Sequence, residues 1–263
     1  GKGDGMRLYE LHYGTGLDMT ISSARNGDIT RLRYNGINLS YFSPCGYVAP
    51  AYYDKVGSNW LQSFTAGFLT TCGLQAVGSP CEDEGELLPL HGSIANIPCE
   101  KSYWTEEEAT FTIHTETKDE VLFGRKLVLS RKIVISKIKS EFEITDTITN
   151  TGDRVEPFEI LYHMNMGYPL LDEDSVVMIP SVEVLPRDTH AKEDIANWMH
   201  MEKPTAGYQE RCYYHKFTDE KGYAKIYQSK LGIGLEITFD AEELDGFVEW
   251  KMMGVRDYVL GLE

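Results

Sequence analysis

Apolar and polar positions alternate along most of this chain with a period of two, the spacing of a half-buried β-strand and not of a helix. The opening predicts a β-meander, with strands over 6–13, 17–21, 29–34 and 37–41 and turn residues at Gly14, Gly16, Asn26-Gly27 and Asn35-Gly36. Asn-Gly between apolar runs is a strong hairpin signal, because both residues accept the positive φ of a tight turn. The clearest alternation falls within 109–149, as ATFTIHTE, RKLVLSRKIVISK and SEFEITDTITN. It predicts long antiparallel strands that end at the turn Asn150-Thr151-Gly152-Asp153. Strands return over 210–217, 222–228, 234–239 and Val248–Met253, while 43–79 is rich in Gly, Pro and aromatics and too irregular for a helix. The polar excursion 172–207 leaves room for one short helix near 192–199. Frequent turns, with no repeat or linker, predict a single all-β domain over 1–263, a large antiparallel sandwich. Gly1 has no Met before it and the last strand has nothing after it, which suggests a sequence trimmed at both termini.

The segment 158–171, FEILYHMNMGYPLL, sets a histidine inside an otherwise apolar strand pattern. Phe158, Ile160, Tyr162 and Met164 share one face, and Glu159, Leu161, His163 and Asn165 share the other. Gly167 and Pro169 then stop the strand, leaving His163 and Asn165 near its exit, where a scaffold presents a site. In the closing DYVLGLE the same alternation puts Val259, Gly261 and Glu263 on one face, with the glycine leaving room beside the carboxylate. His91 is followed directly by Gly92, which lets backbone or ligand come close to the imidazole. Taken alone, His163 reads as a core histidine and Glu263 as a solvated carboxylate, while His91 is equally compatible with a turn histidine and a functional one. Trp60, Trp250, Tyr52 and Tyr53 have the flat faces that stack on sugars, and equally the bulk that fills core edges.

Composition narrows the partners. The 263 residues carry a net charge of -16, with a pI near 4.9, which argues against a nucleic-acid backbone or an anionic membrane surface and favours a neutral ligand. A hydrophobic content of 42% with 11% aromatics is too high for an acidic disordered chain. No apolar run approaches the roughly 20 residues of a membrane span, and the start lacks the apolar stretch of a secretory signal, so a cytoplasmic protein is expected. Cys45, Cys72, Cys81, Cys99 and Cys212 are odd in number and have no zinc spacing, as reduced thiols would be.

Six segments in order, SYFSPCGYVAPAYYD, FTAGFLTTCGL, LPLHGSIANIP, FEILYHMNMGYPLL, YQERCYYH and EWKMMGVRDYVLGLE, resemble the aldose 1-epimerase (galactose mutarotase-like) superfamily, and more closely its bacterial aldose 1-epimerase-like branch. The resemblance covers nearly the whole chain and implies a large antiparallel β-sandwich with an open cleft on one sheet. It implies that His91 binds the sugar ring, that His163 is the general acid to the ring oxygen, and that Glu263 is the general base on the anomeric hydroxyl. Glu210, in YQERCYY, falls roughly where mutarotases hold a sugar hydroxyl with an aspartate. The segment matching FLTTCGL lacks the family's arginine and carries Thr70, Thr71 and Cys72; Lys251 and Arg256 are candidates to replace its charge. Asn165 and Trp250 complete the substrate-binding candidates.

Mutarotation opens a cyclic hemiacetal and closes it on the other face. A base takes the anomeric proton while an acid protonates the ring oxygen, and the roles reverse on closure. A carboxylate and an imidazole suffice, with His91 as a further donor, so that chemistry requires no metal or organic cofactor. Two other readings stand beside the epimerase: a sugar-binding or sugar-sensing protein without turnover, and a metal-dependent sugar isomerase using His91, His163 and a carboxylate as ligands.

Overall fold

The structure, a computed structural model, describes residues 1–218 and 220–263. Its regular elements are almost all antiparallel β-strands, as the period-two pattern predicts, with one short α-helix. The chain divides into two compact units, one comprising Gly1–Gly36 and Phe42–Tyr162, the other Ile37–Tyr41 and His163–Glu263. No helix among the described residues is long and apolar enough to cross a membrane.

In the first unit three strands of the expected meander form, Leu8–His12, Leu17–Ser22 and Asp28–Tyr34; of the fourth, expected over 37–41, only Ile37–Asn38 is strand, and that segment is assigned to the second unit. Asn26 and Gly27 have φ of 50° and 71°, and Asn35 and Gly36 have 49° and 78°, so both Asn-Gly pairs take the left-handed backbone that the hairpin signal rests on. The alternation within 109–149 becomes three long strands, Thr110–Glu120, Lys126–Ser136 and Phe142–Asn150. Ile133 faces Ile113 on one side and Ile144 on the other. A fourth strand, Lys101–Glu106, pairs on Thr110–Glu120 although its sequence, KSYWTE, has little alternation. Leu74, Ile94, Leu127 and Leu129 form a buried core, with Ile97, Ile148 and Ile160 packed against it.

A buried arginine ties five segments of this unit together. Arg131, with no exposed side-chain surface, donates to Asp28 at 2.9 Å, to both oxygens of Asp146 at 2.8 and 2.7 Å and to the Thr71 hydroxyl at 2.8 Å. Thr71 donates its own N–H and hydroxyl to Asp28, and the Tyr162 hydroxyl donates to Asp146 at 2.9 Å. Burial raises the Asp28 carboxyl above its ordinary range, against the pull of Arg131 and the Thr71 bonds. The guanidinium fork is what makes two buried carboxylates tolerable here.

In the second unit the strands Glu183–Pro186, Arg211–Lys216, Val248–Met253, Tyr258–Leu262 and the end of Glu159–Met166 lie side by side in that order. A smaller sheet pairs Ser175–Met178, Lys221–Gln228 and Ile233–Asp240. The expected helix begins earlier than 192–199, at Thr189–Glu193, because the Asp188 side chain accepts from the Ala191 N–H at 2.9 Å and caps it. Two short strands, Ser175–Met178 and Glu183–Pro186, occupy what reads in sequence as a polar loop.

Replacing Arg131 with Met is expected to lower unfolding stability by about 3–5 kcal/mol, since it strands two buried carboxylates. Urea unfolding followed by tryptophan fluorescence measures this; a change under about 1 kcal/mol would contradict the bridging role.

Candidate active site

Register decides which side chains share a face in the second unit. Asn165 pairs with Gly261, Gly261 with Trp250, and Trp250 with Cys212. Directly opposed residues point to the same side of a sheet, so these four form one row. Pro186 opposes Tyr213, and the Arg187 N–H donates to the Cys212 carbonyl at 3.0 Å, which extends the row to Arg187. One step along the ladder from Met164 and Leu262, His163 and Glu263 face each other across two neighbouring strands, on the same side as the row.

They meet. His163 Nδ1 lies 3.1 Å from Glu263 Oε1, with only 5% and 6% of the two side chains exposed. The Trp250 ring stands edge-on to the His163 imidazole, centroids 5.4 Å apart and planes at 88°. Asn165 Nδ2 donates to the His163 carbonyl at 3.0 Å, which holds the amide at the foot of the histidine. Asn165 Oδ1 is buried with no hydrogen-bond partner among the described residues. Burial, reinforced by the charge of Glu210, pushes the Glu263 carboxyl up to about 8. A carboxyl poised there exchanges its proton near neutral pH, as a reversible acid/base requires.

Gly261 makes this geometry possible. A Cβ built at 261 would collide with Glu263 Oε1 and crowd the Trp250 ring, which would be 3.1 Å away. The carboxylate therefore folds back over a position that no other residue type leaves empty. Toward solvent, Trp250 Nε1 donates to Glu210 Oε2 at 2.7 Å, and Arg187 Nη2 donates to Glu210 Oε1 at 2.9 Å. Arg187 also contacts Asp188 through Nε at 3.2 Å and Cys212 Sγ through Nη1 at 2.9 Å. Burial pushes the Cys212 thiol up to about 12, so it meets the guanidinium as a neutral acceptor.

Of the sequence-derived candidates, His163, Glu263, Asn165, Trp250 and Glu210 come together on this face. Lys251 does not. It neighbours Trp250 in the strand and so points to the opposite side, where its ammonium donates to the carbonyls of Asn197 at 3.3 Å and His200 at 2.8 Å. Arg256 is exposed in the turn before Tyr258–Leu262, about 16 Å along the chain from Gly261 at strand spacing. Neither supplies the cation expected of it at this row. The basic group that does reach it, Arg187, gave no sequence signal, because it follows Pro186 in a stretch without apolar period. Cys212 was legible: it lies two residues after Glu210 and so shares its face.

His91 belongs to the first unit, in the left-handed region at φ 56°. Its N–H donates to the Gly78 carbonyl at 2.9 Å, and its Nδ1 accepts from the Gly78 N–H at 3.2 Å. An accepting Nδ1 places the proton of a neutral ring on Nε2, a donor tautomer. Gly92 is required beside it, since a Cβ there would collide with the Gly73 carbonyl. Trp60 is buried against Phe64 and His91, the core-edge role and not an open stacking face. Among the described residues no group of three or more His, Cys, Asp and Glu side chains is placed to hold a metal ion.

A family model described as "Domain of unknown function (DUF4432)" matches residues 3–263. No curated protein matches the chain in sequence. Among solved structures, a Klebsiella pneumoniae protein described as a candidate aldose 1-epimerase superimposes with a TM-score of 0.92 at 24% identity, over 100% of this chain and 71% of that one. The Slr1438 protein of Synechocystis gives 0.70 at 16% identity, over 100% and 86% of the two chains. A galactose mutarotase related enzyme from Lactobacillus acidophilus gives 0.61 at 12% identity, over 97% and 84%. These likenesses show the galactose mutarotase-like β-sandwich fold and not the activity.

Carboxyl titration by 13C NMR is expected to place Glu263 near 8. Gly261→Ala should displace the carboxylate from its buried seat and bring that value down toward the ordinary range of about 4–5. An unchanged titration in the folded variant would show that Gly261 does not govern the position of Glu263.

Proposed function

We propose that this chain, which belongs to the DUF4432 family, is a carbohydrate epimerase of the aldose 1-epimerase type, with Glu263 as general base and His163 as general acid. The observation that carries the reading is the opposed pair on one strand face, 3.1 Å apart, beneath an indole edge. Glu263 takes the proton of the anomeric hydroxyl, the electron pair left on that oxygen forms the carbonyl, and the bond from the anomeric carbon to the ring oxygen breaks. His163 delivers a proton to the departing ring oxygen. Rotation about the neighbouring C–C bond and the reverse transfers close the ring on the other face. The proximity of Nδ1 and Oε1 gives the pair a short route for resetting its protons between turnovers.

The Glu263 carboxyl is raised to about 8, so its basic form is scarce at pH 6 and grows as the pH approaches 8; the limb of the kcat/KM profile set by the base rises over that interval, opposed by loss of the proton that His163 must carry as the acid. The same shift makes the folded state bind the proton more tightly than the unfolded chain does. Its stabilising contribution is therefore full below the unfolded value near 4.5 and lost as the pH rises through about 8.

A sugar-binding protein without turnover is the second reading, favoured by the direct contact between the two groups, which a substrate has to part. Proton NMR of anomer exchange on a panel of aldoses separates the two. Wild-type protein should accelerate exchange, and Glu263→Gln should lose about 10²- to 10⁴-fold together with the limb of the pH profile set by the base. Saturable sugar binding with no acceleration over the variant would establish the binding protein and defeat the epimerase.

A further inference from the structure

Lys101–Glu106 is the outermost strand of its sheet in the first unit, bonded to Thr110–Glu120 on one side and, among the described residues, to no strand on the other. The hairpin turn fixes which backbone groups face outward. The Glu107 N–H donates to the Thr110 carbonyl at 2.9 Å, so the next hydrogen-bonded pairs along the ladder are Thr105 with Thr112, Tyr103 with His114 and Lys101 with Glu116. The N–H and C=O groups of Ser102, Trp104 and Glu106 therefore point away from the sheet. Edges of this kind are usually guarded by charge. Here the charges are turned back onto their own sheet, with Lys101 Nζ 2.9 Å from Glu116 Oε1 and Lys137 Nζ 2.6 Å from Glu106 Oε1. Between them Tyr103 and Trp104 are each 54% exposed. Both rings are already ordered by stacking, Tyr103 on His114 at 4.6 Å and Trp104 on Phe111 at 5.3 Å between centroids. Covering them costs little further side-chain freedom.

We propose that this edge is a homodimer interface, in which Lys101–Glu106 pairs antiparallel with the same strand of a second copy and joins the two sheets into one. The segment is complementary to itself about Trp104. A two-fold pairing that matches the outward backbone groups sets Trp104 against the partner's Trp104, Ser102 against the partner's Glu106 and Lys101 against the partner's Glu107. An indole pair on the axis is then flanked on both sides by opposite charges on one face of the sheet. Glu107 is exposed, and the surface contact of Lys101 with Glu116 is weak enough to share. Sliding the strands by two residues one way opposes Glu100 to the partner's Glu106, a like-charged pair; sliding them the other way shortens the paired run to 103–107. Hydrogen-bond phase, rings and charge agree in a single register, which points to a second copy over an unrelated strand. One strand pair is smaller than the roughly 1,600 Å² of a standard interface, so the dimer is a concentration-dependent one, with Kd on the order of 10 µM.

Sedimentation velocity in about 0.15 M salt, where repulsion between copies of charge -16 is screened beyond about 8 Å, should show monomer giving way to dimer between about 1 and 100 µM. Trp104→Lys sets like charges on the axis and should weaken association by at least about tenfold. Glu107→Lys should weaken it as well, and adding Lys101→Glu should restore it, a rescue that damage to the fold does not produce. That pair carries the test if Trp104→Lys does not fold. The register is read by crosslinking, with Cys81→Ser removing the exposed native thiol. Trp104→Cys should form a disulfide between copies on mild oxidation, because a hydrogen-bonded cross-strand pair holds its Cα atoms about 5.5 Å apart. Ser102→Cys, roughly 14 Å from its twin along the strand, should not. A chain that is monomeric at every concentration, a dimer indifferent to Trp104→Lys and Glu107→Lys, or crosslinking as strong from Ser102→Cys overturns the interface.

Discussion

One missing side chain governs the candidate site. The row Arg187, Cys212, Trp250, Gly261 and Asn165 crosses five neighbouring strands, and only at 261 is there a gap into which Glu263 folds. Fill it, and Glu263 Oε1 has to shift while the Trp250 ring is crowded. Because side chains alternate strictly along a strand, the same ladder that opposes Asn165 to Gly261 also opposes His163 to Glu263. A slip of one residue would turn both to the other side of the sheet. The apolar residues of the reverse face, Met166, Leu260 and Leu262, lock that register from behind by needing burial themselves.

The two faces of this sheet use buried charge differently. On the candidate active face, Glu263 is driven up by burial and a like-charged neighbour, with Glu210 and Arg187 forming a wetter edge. On the reverse face, Glu249 and Lys251 are buried together: burial raises the carboxyl to about 8 and pulls the ammonium down. His215, 3.6 Å from Glu249, is depressed to about 4 by burial and stays neutral. On that side Lys251 is committed to the carbonyls of Asn197 and His200, while both Glu249 oxygens are buried without a hydrogen-bond partner among the described residues. In the first unit the Arg131 cluster solves the same problem with a guanidinium fork between two aspartates.

Much of this was legible in the chain. The strands within 109–149 declare themselves because both faces are patterned, and the Asn-Gly turns because their backbone demands are local. The face shared by His163 and Asn165, and that shared by Gly261 and Glu263, follow from alternation alone. Their meeting does not, since pairing partners are nearly a hundred residues apart and no local rule chooses them. Lys251 shows a rule left unapplied: adjacent to Trp250, it had to face away from it. Arg187 was beyond reach, because it lies just past a strand only four residues long, between Pro186 and Asp188. The short strands at Ser175–Met178 and Glu183–Pro186 are likewise set by their partners and not by their own propensity.

The claim at the centre is that His163 and Glu263 act as one proton-transfer unit. A double-mutant cycle on anomer-exchange rates, with His163→Asn, Glu263→Gln and the pair together in folded protein, addresses it directly. The account predicts that the double variant is no slower than the slower single one, as for groups that work only in concert. Losses that multiply independently, or single variants as fast as the wild type, would contradict it.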